Sequence, residues 1–560
     1  MKQRITYIVH DPESFNPTSL IVKGDTFSIN GADAAKEHRI TFSLSELPQE
    51  ITKYLDRCHE LHIRWVSERP YAPIAPFVAR VSPGFHAFFT PLKTGDTNIC
   101  PLLRTFDENF LCESPEHDFT VMPVLSERFS MSSSLQFYSL LPDLKHFVQY
   151  LHYRVICPPL DGLHEYSSEC MIPNAASSPL SPLLSASYLD MDYDAISHAL
   201  TISAFWAREP MDGSWTETIT LNSKGGSIEI GVLSNENNPD PEDLAFSGFL
   251  TVLGQDDEPK PTHFQTPSRH HPLPPTNELT FTTGFSYPAG LHPTLELTLS
   301  SPAYAPIAPP NPTCKLHTHI TLPSSLFIDK YQFSDPLFLQ SHNLKSLRSI
   351  SGATDLEAPE WVISQWGSAA LFELSFPSES SQTSSPQSPL EGSSNTNFTV
   401  SIPLHTRYLP PSKVGGADSA RVTVPYPVVF WACHTDSGTK QSASPFDRVH
   451  LGYEALFGPK TMFVHVPPAA RDAPTLKLKG GPKKFGGGQS RLVAELNVPV
   501  LETKNAAVVE WGTVGVVVAA FLGLCWVLFR GNSPDGKAVK SMKGKGKLED
   551  VVQGREKKNE

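Results

Sequence analysis

The chain has 560 residues, of which 18% are charged and 39% hydrophobic. That is too long for one ordinary core and apolar enough to fold over most of its length. A net charge of −13 excludes the concentrated basic surface that a nucleic-acid partner requires, and 52 prolines, about twice the usual ~5%, favour short strands over long helices.

Taken in chain order, the first ten residues carry basic side chains but no apolar segment ahead of Asp11 and Pro12. A cleaved signal peptide is therefore not expected, and residues 5–9 read as a first strand. A short helix is expected over 44–57. In residues 61–65, Leu61, Ile63 and Trp65 fall on one face of a strand, alternating with His62 and Arg64. His59 and His62 are three apart, whereas two zinc ligands on one helix face must be four apart. Asp190, Asp192 and Asp194 mimic the start of a calcium loop, but Ala195 and Thr201 stand where glycine and glutamate are needed. The same acidic run could hold a metal in a nucleotide-sugar transferase, yet no nucleotide-binding α/β unit surrounds it.

Further alternation at 294–299, 315–322, 372–376 and 398–402, bounded by Pro, Gly, Asn and Ser, predicts half-buried antiparallel strands. The expected fold class is mainly β: antiparallel, sandwich-like units with low-complexity inserts and one C-terminal transmembrane helix. The inserts are residues 172–188, 255–276, 377–396 and 465–490, which are too poor in apolar residues to order themselves. They suggest an N-terminal β-rich domain at 1–254, a Pro/His-rich linker at 255–277 and a second β-rich domain at 278–466. A basic linker at 467–507, a spanning helix at 508–529 and a basic tail at 530–560 complete the chain.

Few motifs point to chemistry. His317 and His319 share one side of a strand without an assignable third ligand, and read as solvent-facing residues. The eight cysteines, Cys58, Cys100, Cys112, Cys157, Cys170, Cys314, Cys433 and Cys525, form no C-x-x-C pair, so a tetrahedral zinc site has no support. In an oxidising lumen, pairs such as Cys100 with Cys112 or Cys157 with Cys170 could close loops; in the cytosol all would be thiols. The glycines at 480–488, mixed with Lys483 and Lys484, lack the ending of a phosphate loop, and no G-x-S-x-G elbow occurs. No catalytic residue, cofactor or metal is expected. Asn397-Phe-Thr399 is a usable sequon, whereas Asn16 and Asn311 are each followed by proline.

From Trp511 to Phe529 no residue is charged, and Glu510 and Arg530 bound the run. A helix of that length crosses the ~30 Å hydrocarbon core, with Trp511 at one interface and Trp526 and Phe529 at the other. Arg530, Lys537, Lys540, Lys543, Lys545 and Lys547 follow it against Asp535. This bias predicts a cytosolic tail and a lumenal body at residues 1–505. A short tail without a leader is also the layout of tail-anchored proteins, whose large domain stays in the cytosol. Gly515, Ala519 and Gly523 recur every four residues and form a candidate helix-packing face.

Several stretches carry a resemblance. Asp355-Leu-Glu-Ala-Pro359, Pro403-Leu-His-Thr-Arg-Tyr408, Pro425-Tyr-Pro-Val-Val-Phe-Trp-Ala-Cys433 and Gly452-Tyr-Glu-Ala-Leu-Phe-Gly-Pro459, with the anchor and basic tail, resemble the PIG-X family in its fungal form. Leu61–Trp65, Pro70-Tyr-Ala-Pro-Ile-Ala-Pro76 and Ser82-Pro-Gly-Phe-His86 resemble the N-terminal region of the longer fungal members. The resemblance implies a noncatalytic endoplasmic-reticulum subunit of glycosylphosphatidylinositol mannosyltransferase I. Its implied partner is the multispanning PIG-M-type transferase that adds the first mannose, and it implies a further role in folding or stability of other lumenal proteins. The competing class is a free-standing lumenal chaperone or glycan-processing enzyme.

Overall fold

The computed structural model describes residues 1–560 except 94–97, 123–133, 158–171, 173, 222–225, 275–276, 303–306, 356–357, 376–394, 412–418, 437–443, 445, 447–451, 470–490, 501 and 531–560. The chain forms two compact units, one of residues 1–412 with 417–500 and one of 413–416 with 501–560. Most of inserts 377–396 and 465–490, and the basic tail after Arg530, lie outside the described residues.

The larger unit is built on two sheets. The first has eleven strands in the order Lys260–Pro267, Asp243–Val252, Ser227–Glu236, Lys2–Val9, Ala34–Ser43, Ala199–Trp206, Tyr188–Asp194, Cys58–Val66, Gly84–Pro91, Leu135–Ser139 and Thr120–Val121. The second has six, ordered His270–Pro272, Thr461–Val466, Val428–His434, Lys315–Pro323, Gly367–Leu374 and Leu344–Gly352. Each contains one parallel pairing, Lys2–Val9 with Ser227–Glu236 and His270–Pro272 with Thr461–Val466. Both sheets are therefore mixed, with antiparallel pairing, as expected, everywhere but at these two pairs. A parallel neighbour needs a long crossover, and the chain between each of these pairs is ample for one.

Both faces of the central strands of each sheet are covered. Between them, Ile8, Ala35, Phe205 and Phe246 of the first sheet share a core with Leu371, Phe430 and Phe463 of the second. Behind the second sheet, Leu316, Ile320 and Leu322 pack with Leu295, Leu297, Val400 and Ile402 of the three-stranded sheet Thr280–Phe285, Thr294–Pro302, Asn395–Pro403. Leu496 and Val498 of the last strand, Val493–Pro499, join the same core. Behind the first sheet, Leu61, Ile63 and Trp65 meet Leu103, Phe106 and Phe147 from helical segments, while Ile5 and Tyr7 meet Phe27 and Ile29 of a small sheet. Strands Gly84–Pro91 and Gly367–Leu374 are accordingly buried at every position, the pattern of sheets covered on both sides.

Local expectations fare unevenly. The segment 44–57 divides at Pro48 into a 3₁₀ turn at Leu44–Glu46 and a helix at Gln49–Leu55. Ser43 and Glu46 cap the first piece reciprocally. The stretch 255–277, read as a linker, carries strands Lys260–Pro267 and His270–Pro272, one in each large sheet. Disulfides join Cys100 to Cys112 and Cys314 to Cys433. Cys157 is also disulfide-bonded, Cys58 is a buried free thiol, and Cys170 lies outside the described residues. In the second unit, Ala506–Arg530 is a continuous apolar helix, long and apolar enough to cross a membrane.

Candidate interaction site and buried polar seam

The polar partners in the alternating strands do not face water. His62 and Arg64 are buried, and so are His317 and His319, at 2% and 6% exposure. This corrects the reading of His317 and His319 as solvent-facing. Lys315–Pro323 is an interior strand of the second sheet, and its histidine-bearing face meets aromatic rings instead of solvent. His317 donates from Nδ1 to the Lys315 carbonyl at 2.9 Å and stacks on Phe430, and its ring meets Phe457 edge-on. His319 packs beside Tyr453. Burial holds both imidazoles down to about 4, so they are neutral at physiological pH.

Around them runs a polar seam between the two sheets. Thr321 Oγ1 donates to Ser82 Oγ at 3.4 Å, and Tyr453 Oη donates to the Arg80 carbonyl at 2.9 Å. Arg64 Nη2 donates to the Ala79 carbonyl at 3.0 Å, its Nε lies 3.5 Å from Asp190 Oδ1, and its guanidinium sits over the Tyr188 ring. His86 donates from Nε2 to the Ser82 carbonyl at 2.7 Å and is held down to about 3 by burial. A second node completes the seam: His270 Nε2 donates to Glu454 Oε1 at 2.6 Å, and His270 Nδ1 lies 2.8 Å from His465 Nε2. His270 thus links His465 to the Glu454 carboxylate. No sequence signal marked this node, because His270 belongs to the stretch read as a linker.

The seam binds the fold together, and its groups point at one another. Among the described residues, the one set of side chains with the spacing of metal ligands is Cys100, Cys112 and Asp118. Its two sulfurs are consumed in the disulfide, and Asp118 Oδ2 accepts from the Ser114 amide at 2.8 Å. Asp190 to Asp194 lie in a strand, where Asp192 Oδ1 meets His62 Nδ1 at 3.4 Å and Asp194 Oδ1 accepts from the Ile196 amide.

An outward-facing site lies elsewhere in the larger unit, around Arg407. This buried guanidinium donates from Nη1 to the carbonyls of Asp355 at 2.6 Å and Ala358 at 2.8 Å, and from Nη2 to that of Ala353 at 3.2 Å. It also lies over the Phe327 ring, 4.5 Å from its centroid. Arg407 thereby ties the carbonyls of Ala353, Asp355 and Ala358 to the Pro403–Tyr408 stretch. Nearby, His292 and His405 meet Nδ1 to Nδ1 at 3.1 Å, and the Tyr408 carbonyl accepts from the Glu360 amide at 3.0 Å. Fixed loops that present exposed side chains suit a protein or lipid partner better than a small substrate.

The other expected residues are also located. Asn397 is exposed on Asn395–Pro403, the edge strand of its sheet, while Thr399 Oγ1 lies 3.1 Å from Thr298 Oγ1. Gly515, Ala519 and Gly523 lie on the apolar helix, and a Cβ added at either glycine would meet nothing within 4 Å.

A family model described as PIG-X / PBN1 matches residues 288–529, the Arg407 loops and the apolar helix included. Protein pbn1 of Emericella nidulans is 44% identical over 94% of this chain and 95% of its own length. Protein pbn1 of Aspergillus oryzae is 39% identical over 97% and 100%, and that of Neurospora crassa 38% over 95% and 95%. Similarity that runs at this level through both large sheets and the helix means that the chain belongs to the PIG-X/PBN1 family.

Proposed function

We propose that the chain is the noncatalytic subunit of glycosylphosphatidylinositol mannosyltransferase I, and that it stabilises a PIG-M-type catalytic subunit in the endoplasmic-reticulum membrane. The observation that carries this reading is family membership along nearly the whole chain, which supports an accessory role in that enzyme. A subunit of this kind works by binding the folded form of its partner and not the unfolded form, which raises the partner's stability by mass action. It needs surfaces and rigidity, and no cofactor.

On this reading residues 1–505 are lumenal and the basic tail is cytosolic. The charge bias after the helix supports that orientation, as do the disulfides, which persist in oxidising compartments, and the exposed sequon at Asn397. Gly515, Ala519 and Gly523 supply the face on which a transferase helix packs, since small residues let backbones approach closely in lipid. The same binding would extend to other lumenal proteins if the body also aids their folding.

The test is removal of the chain from a fungal host, followed by an assay of mannose transfer to the glucosaminyl lipid acceptor in microsomes. Transfer and the level of the transferase polypeptide should fall together, and the purified chain alone should transfer no mannose. An unchanged transferase level with normal transfer would remove this reading and favour a free-standing chaperone. Transfer by the chain alone would make it an enzyme.

A further inference from the structure

Outside the apolar helix, the exposed aromatic side chains among the described residues are Tyr287, Tyr331, Trp361 and Tyr408, at 67%, 66%, 61% and 69% accessibility. All four belong to the stretch 405–408 or to loops bonded to it. Trp361 follows Glu360, whose amide donates to the Tyr408 carbonyl. Tyr331 precedes Gln332, whose Oε1 lies 3.5 Å from His405 Nε2. The Leu291 carbonyl, in the same hairpin as Tyr287, accepts from the Thr406 amide at 3.1 Å. Leu291 and Val362 are exposed as well. Among the described residues outside the helix, the other large exposed apolar side chains are aliphatic or methionine, such as Leu111, Ile196, Leu337 and Met211.

The rim is also connected to the last strand before the membrane helix. Tyr287 Oη donates to the Glu495 carbonyl, at 3.2 Å, on strand Val493–Pro499. From Pro499 the six residues 500–505 lead to the first residue of the helix, Ala506. Six residues of chain reach at most ~20 Å. Carboxylates near the rim are engaged locally: Asp329 accepts from the Tyr331 amide, Asp335 from the Leu337 amide and Glu360 from Ser324 Oγ. Lys330 lies over the Tyr331 ring. Tyr and Trp, each with an apolar body and a polar tip, are the side chains that sit best at the level of lipid headgroups.

We propose that the Tyr287–Tyr331–Trp361–Tyr408 rim seats in the headgroup–acyl boundary of the membrane that the helix crosses. The bilayer is a ligand of the folded body, and the Arg407 clamp holds the loops in their seated form before they touch lipid. This seating is independent of any transferase, whose surface is the competing occupant of the rim.

The experiment uses the full chain in nanodiscs of plain or acyl-brominated phosphatidylcholine. Emission of Trp361→Phe is subtracted from that of the unsubstituted chain. Trp511 and Trp526 of the helix are present in both and cancel, leaving Trp361. Its emission should be blue-shifted and should lose roughly half or more of its intensity in brominated bilayers, as a ring seated ~5–10 Å deep must. Val362→Glu combined with Tyr408→Glu, at exposed positions where folding is unaffected, should abolish that quenching. Trp361 emission that ignores bromine overturns the proposal. Shielding of Trp361 from acrylamide only when the transferase is co-reconstituted also overturns it, and gives the rim to a protein partner.

Discussion

His270 and Glu454 meet at 2.6 Å in the interior, although 184 residues separate them in sequence. The histidine comes from the short strand that closes one edge of the six-stranded sheet, and the glutamate from a 3₁₀ turn in the Gly452–Pro459 stretch. Arg269 Nη1 lies 3.9 Å from the same carboxylate. The pair therefore fixes the chain at the point where it passes from the first sheet to the second.

Glu454→Ala should destabilise the larger unit by about 1–3 kcal/mol, because it leaves the buried His270 imidazole without its acceptor, whereas Arg269 keeps the Thr461 and Gly458 carbonyls. Glu454→Gln keeps an acceptor oxygen for His270 and should cost less. Urea unfolding followed by intrinsic fluorescence measures both. Equal, small losses for the two would mean that the node contributes packing alone.

Stability should also fall on mild acidification. Burial holds His86 at about 3 and His271, His317 and His319 at about 4. In the unfolded chain the same rings titrate near ~6.5. The folded pKa is depressed, so the unfolded state takes up more protons between the two values. Stability is complete above ~6.5 and declines as pH drops toward ~4, by about 1 kcal/mol per ring at pH ~5.5. His319→Phe should flatten the dependence. A free energy of unfolding that is the same at pH ~7.5 and ~5.5 would contradict the buried, neutral seam.

The disulfides Cys314–Cys433 and Cys100–Cys112 should differ in their effects. Cys314–Cys433 closes a separation of 119 residues and Cys100–Cys112 one of 12. Constraint of the unfolded chain grows with loop length, so paired serine substitutions should cost roughly 4–5 kcal/mol at the first and ~3 kcal/mol or less at the second. Denaturant midpoints of the two double variants give the order directly. A larger loss at Cys100–Cys112 would show that local packing outweighs loop entropy.

Asn397 is exposed on an edge strand, so a transferase in the lumen can reach it. Endoglycosidase treatment should speed migration of the protein, and Asn397→Gln should migrate like the treated form. In sealed microsomes, residues 1–505 should resist added protease while the tail is trimmed. Digestion of the body from outside would place it in the cytosol and sink the lumenal orientation.

Replacing Gly515, Ala519 and Gly523 together by leucine keeps the helix apolar and long enough to span, but fills the face they form. Contacts between helices in lipid are modest, roughly 1–2 kcal/mol or less each, so loss of close approach can dominate. The expected result is normal membrane insertion, weaker copurification of the transferase and a lower level of it. Copurification equal to that of the unsubstituted chain would make the helix an anchor only and leave binding to the body.

The sequence by itself marked many of the strands, the long apolar helix and the family. Alternation at 61–65, 294–299, 315–322 and 398–402 marked runs that lie within strands Cys58–Val66, Thr294–Pro302, Lys315–Pro323 and Asn395–Pro403, because a period of two needs no knowledge of what lies opposite. The uncharged run from Trp511 to Phe529 is a helix long and apolar enough to cross a membrane, which its length and composition alone disclose. What only the tertiary structure decided is which faces meet water. Alternation says that His317 and His319 share a side, and that His62 and Arg64 share another. It cannot say that those sides turn inward between two sheets. That depends on pairings as distant as Lys2–Val9 with Ser227–Glu236, and on a Pro/His-rich stretch that joins both sheets through main-chain hydrogen bonds, where apolar content gives no sign of it.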